Sequence, residues 1–257
     1  MGRTFVLKGM RPHFIESTAA ERVWMRVVVG ANIAIIAFCV VYLVREFEAS
    51  GIGLLQALVS ALIGYFVADL ASGVVHWSID TWFDEKSLGR AVRIAREHHT
   101  HPQVILGYPF LEHAALGSAG GVAMVGPMAV LTAFFVNPTA YSFMIVWAIT
   151  AVCLLFGTSL HNLGHKRAKS PLLVALQRWG LVNSPAHHAA HHNNQVIRYC
   201  AVNGWANYPC DALGFWRGLE SIVQGVTGCV PRENDLEWQR LFRETRKLID
   251  PSSLPRR

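Results

Sequence analysis

Four long apolar runs divide this chain: Trp24 to Val44, Leu54 to about Trp77, Ala114 to Val136, and Tyr141 to Leu160. Each is close to the roughly 20 apolar residues that a helix needs to cross a bilayer core. Asn137 and Pro138 make the turn of the last hairpin. The pattern predicts an all-α integral membrane protein with four transmembrane helices and a histidine-rich cytoplasmic cap. Its parts are a cytoplasmic N-terminal arm at 1–23 and a four-helix transmembrane region at 24–160, which includes a cytoplasmic loop at 80–113. An interfacial, histidine-rich cap at 161–232 and a charged tail at 233–257 follow.

Shorter periodic segments complete the pattern. Pro171 to Val182 carries Leu172, Leu173, Leu176 and Trp179 at helical intervals and is too short to cross, so it is expected to lie in the interface. Ala212 to Val226 repeats this with Leu213, Trp216, Leu219, Ile222 and Val223, leaving Arg217 and Glu220 to face outward. Asp235 to Asp250 reads as a charged, solvated terminal helix.

Composition agrees with a membrane location. With 52% hydrophobic and only 16% charged residues, the chain is too apolar for an ordinary soluble domain. With four spans, 22 of the 23 Lys and Arg residues fall on one side and only Arg45 on the other. The positive-inside rule makes the crowded side cytoplasmic, in a bacterial inner membrane or the endoplasmic reticulum. The net charge of +6 calls for no nucleic acid, since a surface facing anionic headgroups accounts for it. Met1 to Arg22 is polar and the first apolar run is long, so no cleavable signal peptide is expected. The five cysteines form no C-x-x-C pair and read as reduced thiols rather than metal ligands.

The chemistry is carried by histidine. Eleven of the 12 lie at the ends of the predicted helices on the cytoplasmic side or just beyond; His13 is the exception and reads as a surface or packing residue. His161 and His165 stand at i and i+4, so on a helix their rings share one face. His76 and Asp80 repeat the spacing with a carboxylate second. The run H-H-A-A-H-H gives two ladders, His187 with His191 and His188 with His192, about 100° apart on a helix, which suits two metals side by side. Ser184 and Pro185 read as the N-cap and first residue of that helix. His98 and His99 add an adjacent pair before a proline that favours extended backbone ahead of it. His101 and His113 belong to no helical ladder and stay out of the first-rank set. Any single H-x-x-x-H can be chance, but convergence of five clusters is hard to reach by accident.

Asp69 lies seven residues before His76 on the same face. An acid within a membrane helix is costly enough to suggest function. It could fix the second nitrogen of a ligand histidine, or pair with a polar group such as Asn32.

Imidazole alone does not select a metal. The H-E-x-x-H string of hydrolytic zinc sites is absent, and about nine histidines with a carboxylate fit two irons and dioxygen better than one tetrahedral zinc. At the headgroup boundary such a site could attack unactivated C–H bonds of a lipid chain.

The strings D-L-A-S-G-V-V-H-W-S-I-D-T-W (69–82), R-E-H-H-T-H-P (96–102), H-N-L-G-H (161–165), H-H-A-A-H-H (187–192), G-W-A-N-Y-P (204–209) and G-F-W-R-G-L-E (214–220) resemble the Kua-type family of lipid desaturases. The likeness covers roughly residues 60 to 232 and is nearest to the plasmanylethanolamine desaturase branch. The resemblance implies a diiron enzyme that uses O2 and two electrons to form the vinyl-ether double bond of plasmalogens. Its substrate would be a 1-O-alkyl ethanolamine phospholipid. It also implies a ligand set drawn from His76, His98, His99, His161, His165, His187, His188, His191 and His192, with Asp80 as ligand or ligand support. Animal members carry an acid in place of His101 and no histidine in place of His113. No flavin, haem or ferredoxin motif is evident, so an external donor, cytochrome b5-like or ferredoxin-like, is expected. Arg96 or Arg198 could contact the headgroup.

Other readings stand beside this one. An acyl-lipid desaturase or a hydroxylase could use the same metal core. A metal transporter would carry ligands near the midplane and a haem carrier needs only two axial histidines per haem, whereas here many histidines crowd one face. A silent scaffold would leave the histidine ladders unexplained.

Overall fold

The computed structural model describes residues 17–83, 90–100, 102–166 and 168–232. His13, His101 and the expected helix at Asp235 to Asp250 lie outside the described residues. Among the described residues every regular element is helical.

Four helices are long and apolar enough to cross a membrane: Ala19–Arg45, Leu54–Trp82, Phe110–Thr132 and Pro138–Leu155. The first begins before the apolar run does, because Thr18 and Glu21 form a reciprocal capping box there. The second runs past Trp77 to Trp82, and the polar Asp80 and Thr81 in its last turns are buried under the cap. In the third, a π-helical turn at Gly121–Val125 interrupts the helix just before Pro127. Proline lacks the N–H that would continue the ladder, which accounts for a break at this point. The fourth starts at Pro138, where the Asn137 side chain accepts from the Ala140 N–H at 2.9 Å. It stops at Leu155 instead of reaching Leu160, and a separate helical turn, Gly157–His161, follows.

The bundle surface is apolar, with Leu54 and Leu55 more than three-quarters exposed, as a lipid-facing surface requires. Inside, small residues let the helices approach closely. A Cβ on Gly117 would lie 1.9 Å from the Leu154 carbonyl oxygen, so the third and fourth spans can touch there only through glycine. Asn32 is fully buried and donates to the Ala151 carbonyl at 3.1 Å.

The C-terminal ends of the second and fourth spans and the N-terminal ends of the first and third meet at one end of the bundle. Ser17 bonds to Glu112 there, tying the first span to the third. Over that end lies the cap. Pro171–Arg178 buries none of its residues, and Leu172 stays exposed. Phe215–Thr227 buries Trp216 and exposes Ile222 and Val226. Glu220 departs from the expectation that it faces outward. It is buried one turn after Trp216, and its carboxylate accepts from Trp77 Nε1 and Arg217, which offset its desolvation.

Candidate metal centre

Five elements bring the histidines together. The last turns of the second span carry His76 and Asp80, and helix Arg90–Thr100 carries His98 and His99. The Pro102 restriction acts only on the residue directly before it, which lies outside the described residues, and His98 and His99 sit in helix. His161 ends a short α-turn and His165 a 3-10 turn, Asn162–His165, so their spacing is not that of one continuous α-helix. Their ring centroids still lie 4.7 Å apart. Helix Pro185–Asn193 carries the last cluster, and Ser184 caps it by accepting from the His187 N–H.

The side chains assemble into two buried quartets. His98, His161, His165 and His188 form one, and His76, Asp80, His99 and His191 the other; within each, the potential ligand atoms lie within 4.8 Å of one another. The quartets adjoin, with the His76 and His161 ring centroids 5.5 Å apart. Sequence neighbours divide between them: His98 joins one and His99 the other, and His188 and His191 separate in the same way. The partition therefore differs from the two i, i+4 ladders expected from H-H-A-A-H-H. His192 lies against both, its Nε2 3.1 Å from that of His188 and its ring 5.3 Å from that of His99.

His187 is the member of the expected set that the structure places elsewhere. Arg198 and Asn207 each approach one of its ring nitrogens at 3.0 Å, so neither nitrogen is open to a metal. His113 is also apart, with Nε2 bonded to the Ile105 carbonyl.

Several separations match the edges of a coordination shell. His165 and His188 Nε2 are 3.0 Å apart, His99 and His191 Nε2 are 3.2 Å apart, and Asp80 Oδ2 lies 3.2 Å from His76 Nε2 and 3.5 Å from His99 and His191 Nε2. Metal–ligand bonds of about 2.0–2.2 Å at tetrahedral or octahedral angles place neighbouring donors roughly 3–3.5 Å apart. The 3.2 Å His76–Asp80 contact is close but not aligned as a hydrogen bond, since His76 Nε2 and both Asp80 oxygens have no hydrogen-bond partner. His98 Nε2 and His161 Nε2 are likewise buried without one. Buried polar atoms are rarely left so. The donor set thus fits two cations.

The outer nitrogens are held by main-chain carbonyls. His76 Nδ1 donates to the Tyr199 carbonyl at 2.9 Å and His191 Nδ1 to that of Ile197 at 2.7 Å, which leaves each Nε2 free as a lone-pair donor. No motif marked these carbonyls, because any residue type supplies one.

Asp69 corrects the expectation that it supports a histidine. Its carboxylate accepts from the backbone N–H groups of Val202, Asn203, Gly204 and Ala206 at 2.9–3.0 Å. The partner alternatively expected, Asn32, is engaged with Ala151. Asp69 therefore clamps the 202–206 loop, which directly follows the Tyr199 carbonyl.

Burial, reinforced by neighbouring imidazoles, keeps these rings uncharged. It pushes His165 down to about 3, His191 to about 4 and His192 to about 2, and holds His98, His161 and His188 well below the usual histidine range. Neutral imidazole is the form that binds metal.

Residues 65–234 match the lipid desaturase domain, a stretch that contains both quartets. The chain belongs to the lipid desaturase family. It is 34% identical over 194 residues to plasmanylethanolamine desaturase 1 of Mus musculus, covering 70% of each chain. The plasmanylethanolamine desaturase of Myxococcus xanthus is 32% identical over 192 residues, 70% of this chain and 64% of that protein. Fatty acid desaturase 4, chloroplastic, of Arabidopsis thaliana is 32% identical over 195 residues, 72% of this chain and 58% of that protein. No solved structure matches. This member of the family is a multi-pass membrane oxidoreductase acting on lipid.

Proposed function

We propose that this lipid desaturase forms the vinyl-ether double bond of plasmalogens from 1-O-alkyl ethanolamine phospholipids. Dioxygen takes four electrons and becomes two waters; two electrons come from the paired C–H bonds and two from a cytochrome b5-like or ferredoxin-like donor. The observation that carries the reading is the pair of adjoining buried quartets, eight donors of which seven are imidazoles.

Two irons bound there would supply the activation of dioxygen that cleavage of unactivated C–H bonds requires. His98, His161, His165 and His188 would hold one, and His76, Asp80, His99 and His191 the other, with His192 as a further ligand beside both. His187 is proposed to act indirectly, holding Arg198. The Tyr199 and Ile197 carbonyls fix the ring tautomers, and burial keeps water and protons from the ligand nitrogens. Asp80 supplies the negative charge that a purely imidazole set lacks.

The names of the mouse and myxobacterial relatives support the ether substrate. That of the plant relative supports a second reading, desaturation of an ordinary acyl chain on the same core. The lysine and arginine distribution supports a cytoplasmic centre, in a bacterial inner membrane or the endoplasmic reticulum.

The test is lipid mass spectrometry of a plasmalogen-free cell that expresses the chain with a competent donor and is fed 1-O-alkyl glycerol. An acid-labile product two hydrogens lighter, absent with His188→Ala, is expected. Saturated ether lipids beside newly unsaturated acyl chains would replace the ether reading with the acyl one.

A further inference from the structure

Two apolar cavities meet beside the metal centre. The larger, about 760 Å³, lies among the first three spans. The smaller, about 70 Å³, reaches His76, His98 and His161. Val75, Ile79, Ile94, Leu116 and Thr158 line both, so the two cavities lie on either side of one shared wall of side chains.

We infer that the two cavities form one binding site for the hydrocarbon chain of a membrane lipid, with Val75 and Leu116 as the neck that sets which carbons stop beside the ligands. The inference deepens the desaturase reading and rests on it.

The walls suit methylenes and little else. Ser72 and Ser78 turn their hydroxyls onto the carbonyls of Asp69 and Val74 in their own helix, at 2.7 and 2.6 Å, and so offer no donor to a guest. Gly157 leaves the inner space open, since a Cβ added there would meet nothing within 4 Å. The rim carries Trp24 and Phe83, 42% and 36% exposed, at the ends of the first and second spans. Aromatic residues favour that depth in a bilayer, where a lipid could pass in sideways. Glu21 and Glu112 also stand at the rim, where the Thr18 N–H and the Ser17 hydroxyl bond to them.

The ether reading sets the direction of the chain. Phe83 at the rim and His76 at the inner end are seven residues apart on or next to one helix, roughly 10 Å along the axis. The inner chamber holds only a few carbons, so most of the chain must occupy the larger cavity. For a bond next to the headgroup to react, the headgroup stays on the cap side of the ligands and the tail runs through the neck toward the bilayer. A hydrocarbon has no polar handle, so register depends on the width of this neck.

The experiment uses the full chain, iron-loaded, in lipid nanodiscs with a 1-O-alkyl glycerophosphoethanolamine that carries a diazirine midway along its chain. After photolysis, peptide mass spectrometry locates the label. Label is expected on Val75, Leu116 and Met124, and it should fall roughly tenfold in Leu116→Trp and in Ala119→Leu, which fill open cavity space rather than packed core, with iron content and melting temperature retained. If Leu116→Trp loses iron, Ala119→Leu decides. Label confined to outward residues such as Val27 and Leu62, or undiminished in the narrowed variant that keeps iron, would overturn the assignment. Neck labelling without a vinyl-ether product leaves the site standing and removes the ether reading; the product without neck labelling does the reverse.

Discussion

Replacing Asp69 separates two roles that a buried carboxylate near a metal can have. Among the described residues it makes no hydrogen bond to a histidine and accepts four backbone N–H groups of the 202–206 loop, all at 2.9–3.0 Å, from a fully buried position. Asp69→Ala leaves those donors without an acceptor. At about 1–3 kcal/mol for each unsatisfied buried donor, the loss is at least ~4 kcal/mol. For a protein of this size that lowers the melting temperature by ~8 °C or more. Asp69→Asn keeps an oxygen for Val202, Asn203 and Gly204 and turns an amide toward the Ala206 N–H, so one donor is lost and the cost is about 1–3 kcal/mol. The assay is thermal unfolding of the purified protein in detergent, beside iron analysis on the same samples. The expected order is wild type, Asp69→Asn, Asp69→Ala, with iron lost only as the fold loosens. Unchanged melting of Asp69→Ala together with loss of iron would refute the clamp and restore a direct role on the ligands.

Further outcomes follow from the same geometry. His187→Ala should retain iron, whereas His188→Ala or His191→Ala should lose it; equal losses in all three, read by elemental analysis, would mean that the bonds to Arg198 and Asn207 do not keep His187 out of the centre. The unfolded chain binds protons on its histidines near pH 6.5, while the folded chain refuses them at His191 until about 4 and at His165 until about 3. The stability of metal-free protein is therefore full above pH 6.5 and declines as the pH falls toward 4; melting temperatures that hold steady or rise between pH 7.5 and 5 would contradict the neutral, buried rings. Gly117→Ala should destabilise by about 1–3 kcal/mol or more through overpacking against the Leu154 carbonyl, and a chain that melts like wild type would show that the third and fourth spans do not approach so closely.

Much of this arrangement was legible in the sequence because the periodicities are strong. Four apolar runs gave four spans, and Ser184 with Pro185 marked the start of the helix that carries His188 and His191. Boundaries moved where local chemistry outweighs hydropathy, as at the Thr18 capping box and in the polar but buried last turns of the second span. The ladder rule grouped His187 with His191, yet the structure pairs neither of them that way. Spacing reports which rings share a helix face, while the partners that fill a ring's nitrogens come from distant segments, here Arg198 and Asn207. Asp69 and Glu220 show the same limit. Each reads as a costly or outward charge on its own helix, and each is satisfied by donors that only the tertiary fold supplies.

The central claim is that adjoining histidines divide between two iron ions in one centre. It is tested most directly by counting metal in the purified full chain loaded anaerobically with ferrous iron, followed by spectroscopy for magnetic coupling between the ions. Two irons per chain that are coupled to each other, with His98→Ala and His99→Ala each disturbing the signal, is the predicted result. A single ion per chain, or two that show no coupling, would contradict the account.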